Sequence, residues 1–350
     1  MKKIFLSLIA LAIATVSFAQ ATLLATLSHD GSISTFYGTT ALKDALQKAE
    51  NGDAITLSAG QFVSANIDKA VTLRGAGMSI SNDSTNSHES TIVQGDFELN
   101  LTDSVSERIV VEGVYFASKL TYKGNVRNAL FMKSRFEEIS ANEGTLVNTT
   151  FIHCRIANGF TLSSNSNACL INSVVWNPKN SNTTASNIEF DNCIVKMPSG
   201  EYVINSYYKN CIIMIDDYAG SSSYNNRCIP SSNVAVNCVG CSSYGSLYDG
   251  YNNIFYKIQS KNTTNKPFAT PSSVFKTEGM TYNDYATYEL TDEAKAQYLG
   301  ADGKEVGLYG GNLPYEENPT TPQITKCNVA AKSTADGKLS VDIEVKAAEY

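Results

Sequence analysis

Four basic side chains stand at matching places in two consecutive short segments, Lys133 and Arg135 in one, His153 and Arg155 in the next. If those segments are neighbouring strands, Arg135 and Arg155 lie one strand spacing apart, about 4.8 Å. Like charges held so close repel unless an anion intervenes. Glu112, Glu137 and Glu138 could supply that anion locally, and an acidic ligand could supply it from outside. With a histidine and a lysine alongside, the group has the side chains for proton transfer beside a bound acid. The plainer reading is a solvated cluster of ion pairs that does no chemistry.

Two further groups merit the same weighing. Asp216 and Asp217 are an adjacent acidic pair, and paired carboxylates can cleave a glycosidic bond when their separation and burial suit it. They open a Ser-, Tyr- and Asn-rich stretch up to Asn233, which has the composition of an exposed loop. Aromatic residues gather in the same part of the chain: Trp176, Tyr202, Tyr207, Tyr218, Tyr224, Tyr244, Tyr248 and Tyr251. Flat apolar rings with a polar tip suit stacking on sugars, although tyrosine is also an ordinary strand residue. Trp176, Tyr202, Asp216, Asp217, Tyr218 and Tyr224 are therefore the expected ligand-binding residues.

Metal chemistry has little support. Cys238 and Cys241 have zinc-ligand spacing, but no second pair completes a structural site. Calcium needs 6–8 oxygen ligands, and no Asp-rich repeat offers them. His29 and His88 lie in polar segments with no evident partner. No cofactor is expected.

The elements that would position these residues come from a repeat. Between Val110 and Gly240 a pattern recurs around Gly113, Ser134, Cys154, Ser173, Cys193, Cys211 and Cys238, at steps of 21, 20, 19, 20, 18 and 27 residues. Three places earlier stand Val110, Phe131, Phe151, Leu170, Phe190, Tyr208 and Ala235; two places later stand Tyr115, Phe136, Ile156, Val175, Val195, Ile213 and Gly240. The period is too short for helix-pair repeats, which need roughly 33 to 47 residues. Alternation such as Ile188-Glu189-Phe190 is that of strands. Stacked turns would put Phe131, Phe151, Leu170, Phe190 and Tyr208 into one inward column. Asn172, Asn192, Asn210 and Asn237, one place before the centre, suit a left-handed bend and could bond up and down the stack. Cys154, Cys193, Cys211 and Cys238 then read as buried thiols, with a bridge among Cys228, Cys241 and Cys327 left open.

This pattern resembles the right-handed parallel β-helix proteins of the pectate-lyase-like superfamily. The fold class implied is all-β, a right-handed single-stranded parallel β-helix with an N-terminal capping helix and a C-terminal β-hairpin extension. Enzymes of that superfamily remove a proton beside a uronate with Arg or Lys on an outer strand face, often with calcium. The resemblance would give Lys133, Arg135, His153 and Arg155 that catalytic role in a polysaccharide lyase. The fold equally hosts binding proteins. The leading expectation is a non-catalytic protein that binds polysaccharide or surface glycan through its later-turn loops. The alternatives are the lyase, the one case in which calcium would enter, and a ligand-free surface spacer.

The ends complete the plan. Residues 1–19 read as a signal peptide, with Lys2 and Lys3, the apolar run Ile4 to Val16, and Ser17-Phe18-Ala19 before the cut. Export to the periplasm, cell surface or medium follows as an expectation. The net charge of −7 gives no basic footprint for nucleic acid, and no later window reads as a membrane span. Leu42, Ala45, Leu46 and Ala49 share one face of a short helix that would cap the first turn, with Asp53 as a turn residue. The β-helix is expected over 20–312, with 288–311 as its closing segment. A Pro-marked linker and a hairpin, Ile324 to Val329 and Leu339 to Val345, fill 313–350. Oligomeric state is left open.

Overall fold

The computed structural model describes the chain from Leu23 to Lys346, apart from internal stretches of which 79–89, 102–106, 181–185, 198–204, 216–228, 242–246, 256–265 and 330–336 are the longest. The signal peptide, His88, Tyr202, Asp216, Asp217, Tyr218, Tyr224, Tyr244 and Cys228 lie outside the described residues, as do the side chains of Tyr248, Tyr251, Cys241 and Cys327.

The chain is a parallel β-solenoid. Short strands alternate between two long ladders, one of twelve strands and one of thirteen among the described residues. Each ladder pairs strands that are nearly one repeat apart in sequence, so every turn lies on the turn before it. In the first ladder Val111, Phe131, Phe151, Leu170, Phe190, Tyr208 and Ala235 are successive partners. All seven are fully buried. In the second, Phe62, Val93, Phe116, Phe136, Ile156, Val175, Val195 and Ile213 do the same. Rings stack within a column and meet edge-on between columns: Phe131 and Phe151 lie 5.0 Å apart at 11°, Phe131 and Phe136 5.4 Å apart at 85°. Offset and edge contacts of this kind add about 0.5–1.5 kcal/mol each beyond burial.

One register differs from the sequence expectation. Met132 pairs with Glu112 and Arg135 with Tyr115, so Gly113 sits beside Lys133 and not beside Ser134. Val114 takes the place beside Ser134, and Val111 and Phe116, not Val110 and Tyr115, point into the core. Gly113 drew the alignment off by one because it is small. Its real role is the left-handed corner, at φ +68°. The same corner is held by Lys133, His153, Asn172, Asn192 and Asn210 at φ +47°, +54°, +42°, +53° and +51°. Asparagine accepts that conformation more readily than most residues.

Just after the corner, the small residue bonds back to the backbone. Cys193 donates from Sγ to the Leu170 carbonyl at 3.2 Å, Cys211 to Phe190 at 3.3 Å, and Ser173 from Oγ to Ile171 at 2.8 Å. Among the described residues Cys154, Cys169, Cys193, Cys211 and Cys238 are thiols, and all but Cys169 are buried. Burial pushes the Cys154 thiol up to about 12 and holds Cys211 and Cys238 well above the ordinary range.

The helix Ala41–Lys48 covers the first turn with Ala41, Leu42, Ala45 and Leu46 buried. A hairpin not read from the sequence, Leu24–His29 with Ser32–Tyr37, pairs antiparallel onto Ala54–Leu57 and extends the first ladder. Asp53 anchors it: its carboxylate accepts from the Glu50 amide at 2.7 Å and meets His29 Nδ1 at 2.9 Å. His29 thus has the partner that the sequence did not show. At the other end Gln323–Val329 and Val341–Lys346 form the expected hairpin as a separate sheet.

Candidate functional site

The second ladder has an unusual outer face. Its outward column runs Tyr115, Arg135, Arg155, Val174, Ile194, Ile212, and its neighbour includes Trp176, Lys196 and Met214. Every one of these side chains is buried. The cover is the chain itself. Residues 271–320 return as a strap along this face and build a second apolar core from Val274, Phe275, Ala286, Tyr288, Leu290, Val306 and Leu308. The segment expected to close the solenoid therefore lies along its side.

Corner residues hold the strap turn by turn. Asn210 accepts from the Ala301 amide at 3.2 Å, and its own carbonyl accepts from the Gly307 amide at 2.8 Å. Asn192 Nδ2 donates to the Gly307 carbonyl at 3.3 Å; Asn172 Nδ2 donates to Leu308 and Gly310 at 2.7 and 2.9 Å. One rung further His153 Nε2 meets the Leu313 carbonyl at 2.9 Å, then Lys133 Nζ donates to Asn318 at 2.6 Å, and Glu112 accepts from the Thr320 amide at 2.7 Å. Asn237 lies outside the described residues; the other amides expected to bond up and down the stack mainly bond outward instead, and among the described residues the one amide contact between these rungs, Asn210 Nδ2 to Asn192 Oδ1, is 3.4 Å long. The linker expected from residue 313 is, up to Thr320, the last part of this strap. Glycine lets it come close: a Cβ on Gly310 would stand 1.8 Å from the Glu305 carbonyl oxygen and 2.5 Å from Asn192 Nδ2.

The basic cluster sits under this cover. Arg135 and Arg155 are register partners on adjacent rungs, as the spacing implied. They are not on an open face: they are 3% and 5% exposed. Arg155 donates from Nε to the Tyr315 hydroxyl at 2.7 Å and from Nη2 to the Ala286 carbonyl at 2.8 Å, with Glu317 also 2.8 Å from Nη2. Arg135 meets Glu137 at 3.2 Å and lies 4.5 Å over the Tyr115 ring. Of the two sources of negative charge foreseen, local carboxylates are present, though Glu317 was not among those named. A cavity of about 380 Å³ remains between solenoid and strap, walled by Met78, both arginines, Tyr285, Tyr309 and Tyr315.

Trp176, expected at a ligand surface, is 5% exposed and packs edge-on to Tyr282 at 5.2 Å and beside Tyr288 at 5.9 Å. Its ring serves the strap interface. Among the described residues no cluster of three or more His, Cys, Asp or Glu could hold a metal, and no helix is long and apolar enough to cross a membrane.

An open groove lies on the first ladder. Asn148, Asn167, Asn187 and Asn205 occupy one column on successive rungs, beside Thr150, Cys169, Glu189 and Tyr207 in another. Together they line a groove of about 510 Å³ along the stack. Asn148, Asn187, Asn205, Glu189 and Tyr207 are exposed. Asn167 is half-buried and accepts from the Asn148 amide, which ties two rungs together. The asparagine column was available in the sequence: from Asn128 through Asn205 its steps are 20, 19, 20 and 18, the steps of the small-residue column itself.

A parallel β-solenoid whose own C-terminal strap occupies one lateral face and leaves another grooved is the class these features define. No family model, curated protein or solved structure matches the chain.

Proposed function

We propose that this is an exported, non-catalytic solenoid that binds an extended, hydroxyl-rich polysaccharide along the groove of Asn148, Asn167, Asn187, Asn205, Glu189 and Tyr207. The observation that carries the reading is a column of amides repeated once per rung, about 4.8 Å apart, beside an exposed tyrosine ring. Amides both donate and accept, as a chain of hydroxyls requires, and a periodic ligand gains one such contact per rung. Tyr207 adds a flat face for a sugar ring. Export rests on the signal-peptide pattern.

What weighs against the lyase alternative is occupancy. Arg135 and Arg155 are buried, and Lys133, His153 and Arg155 each bond the strap. The reading is tested by affinity electrophoresis through gels cast with a panel of neutral and acidic polysaccharides. At least one should retard the wild type, and Tyr207→Ala and Asn187→Ala should each weaken that retardation about tenfold, the loss of about 1.4 kcal/mol. Retardation unchanged in both variants, or none by any polysaccharide, would overturn it. Incubation with acidic polysaccharide and calcium should leave ultraviolet absorbance flat; growth of unsaturated ends that is lost in Arg155→Ala would establish the lyase instead.

A further inference from the structure

The N-terminal hairpin leaves the first ladder with an open edge. Ser32–Tyr37 is the outermost strand there, and among the described residues it pairs with Leu24–His29 alone. Which of its backbone groups face outward follows from the bonds on the inner side. The Leu23 carbonyl accepts from the Gly38 amide at 3.0 Å and the Leu24 carbonyl from the Ser58 amide at 2.9 Å. Alternation then turns Ala25, Leu27 and His29 toward Phe36, Ser34 and Ser32, their register partners. The N–H and C=O groups of Ile33, Thr35 and Tyr37 therefore point away from the ladder. Ile33 and Tyr37 are also the most exposed large apolar side chains among the described residues, at 73% and 65%. Proteins blunt such an edge with charge, proline or a bulge, and Ser-Ile-Ser-Thr-Phe-Tyr has no charge and no proline.

An edge of unpaired backbone groups is completed by another strand. We infer that it is the same strand of a second copy of this chain, antiparallel across a two-fold axis at Thr35. In that register each copy's Ile33, Thr35 and Tyr37 exchange both backbone bonds with the other copy; a register centred elsewhere leaves one of the three unpaired. Side chains match as well. Thr35 lies opposite Thr35, and each Ile33 opposite the Tyr37 of the second copy, cross-strand pairs that favour association. Charge agrees with the direction: Asp30 stands in the turn at one end of the strand, and Lys48 lies 5.1 Å over the Phe36 ring near the other. The antiparallel arrangement brings the acidic end of one copy to the basic end of the other. Six paired residues bury less than the about 1,200–2,000 Å² of a stable complex, so the dimer forms reversibly as concentration rises. This edge is separate from the groove and does not depend on the glycan reading.

The inference is tested by sedimentation velocity of the purified protein from one to several hundred micromolar, which should shift from monomer to dimer. Thr35→Pro removes an outward N–H and no bond of the hairpin, so the thermal midpoint should hold while association weakens about tenfold or more. The register has its own test. Under mild oxidation Thr35→Cys should give a cross-linked dimer, because the two positions face each other, and Ile33→Cys should not, because each faces Tyr37. A monomer at every concentration would assign the edge to some other cover and overturn the dimer. Growth past two copies, the mark of a head-to-tail contact that does not close, would overturn the two-fold, as would association unchanged in Thr35→Pro or equal cross-linking in the two cysteine variants.

Discussion

Single residues here show how the same type serves different ends according to what surrounds it. His29 and His153 should titrate in opposite directions. The hydrogen bond to Asp53 raises the pKa of His29 from its ordinary value, whereas burial lowers that of His153 despite its bond to the Leu313 carbonyl. As pH falls below about 6.5 the unfolded chain protonates at position 153 before the folded one does, so the fold loses stability on that account. The His29 contribution has the other sign, present below the unfolded value and lost as pH rises through the folded one. NMR titration of the two imidazoles should give midpoints on either side of a reference peptide, and the same side for both would contradict these environments. Asn holds the corresponding corner on the next three rungs, so His153→Asn should keep the strap docked and remove its share of the acid sensitivity. Acid melts compared with wild type would show this. Thiols follow burial too: iodoacetamide at pH 8 should spare Cys154, Cys211 and Cys238 in the native protein, as peptide mapping would reveal. The sequence made the small column and its buried thiols legible because period and residue size agree. It did not disclose the His29–Asp53 pair, whose members belong to segments brought together by an antiparallel hairpin.

At the level of elements, the strap is the piece that sequence patterning left hidden. A clue was present in Val174-Val175-Trp176, Ile194-Val195 and Ile212-Ile213-Met214, which are apolar without alternation and so mark strands covered on both faces. What remained invisible was the cover, because the described residues of 271–320 hold only two short helices, show no strand or helix period in their apolar residues, and bond the corners through backbone groups that no side-chain pattern encodes. Gly310 tests the fit. Gly310→Ala should destabilise the strap by about 1–3 kcal/mol through overpacking, and limited proteolysis should then cut within 286–320 faster than in wild type. Unaltered cleavage would mean that the close approach to Asn192 is not real. The groove on the other ladder was partly legible: Tyr207 stood among the aromatic residues singled out, but the asparagine column did not. The outward column shares the period of the inward one, so the repeat alone does not set it apart.

The molecule as a whole stands on columns that cross every rung. Each turn contacts little beyond its neighbours, so removing one inward ring should weaken the stack locally and propagate outward. Phe151→Ala should cost about 3–5 kcal/mol, seen as a lower urea midpoint; a shift no larger than that of a surface variant would argue against a single interior pile. Around this core the chain assigns its two lateral faces differently, one to its own strap and one to solvent. The strap's docking by the corner residues is the feature on which the buried arginines, their cavity and the placement of Trp176 all depend. Native-state hydrogen exchange with peptides spanning 304–320, on wild type and on Asn172→Asp, tests it most directly. The aspartate tolerates the left-handed corner but replaces two donated bonds with a carboxylate facing two carbonyl oxygens. The wild-type Gly307 and Gly310 amides should be protected, and in the variant that protection should fall while peptides over 188–195 keep theirs. Amides at 304–320 that exchange at unfolded rates in the wild type, or that are unchanged by Asn172→Asp, would contradict a strap held by this ladder of corners.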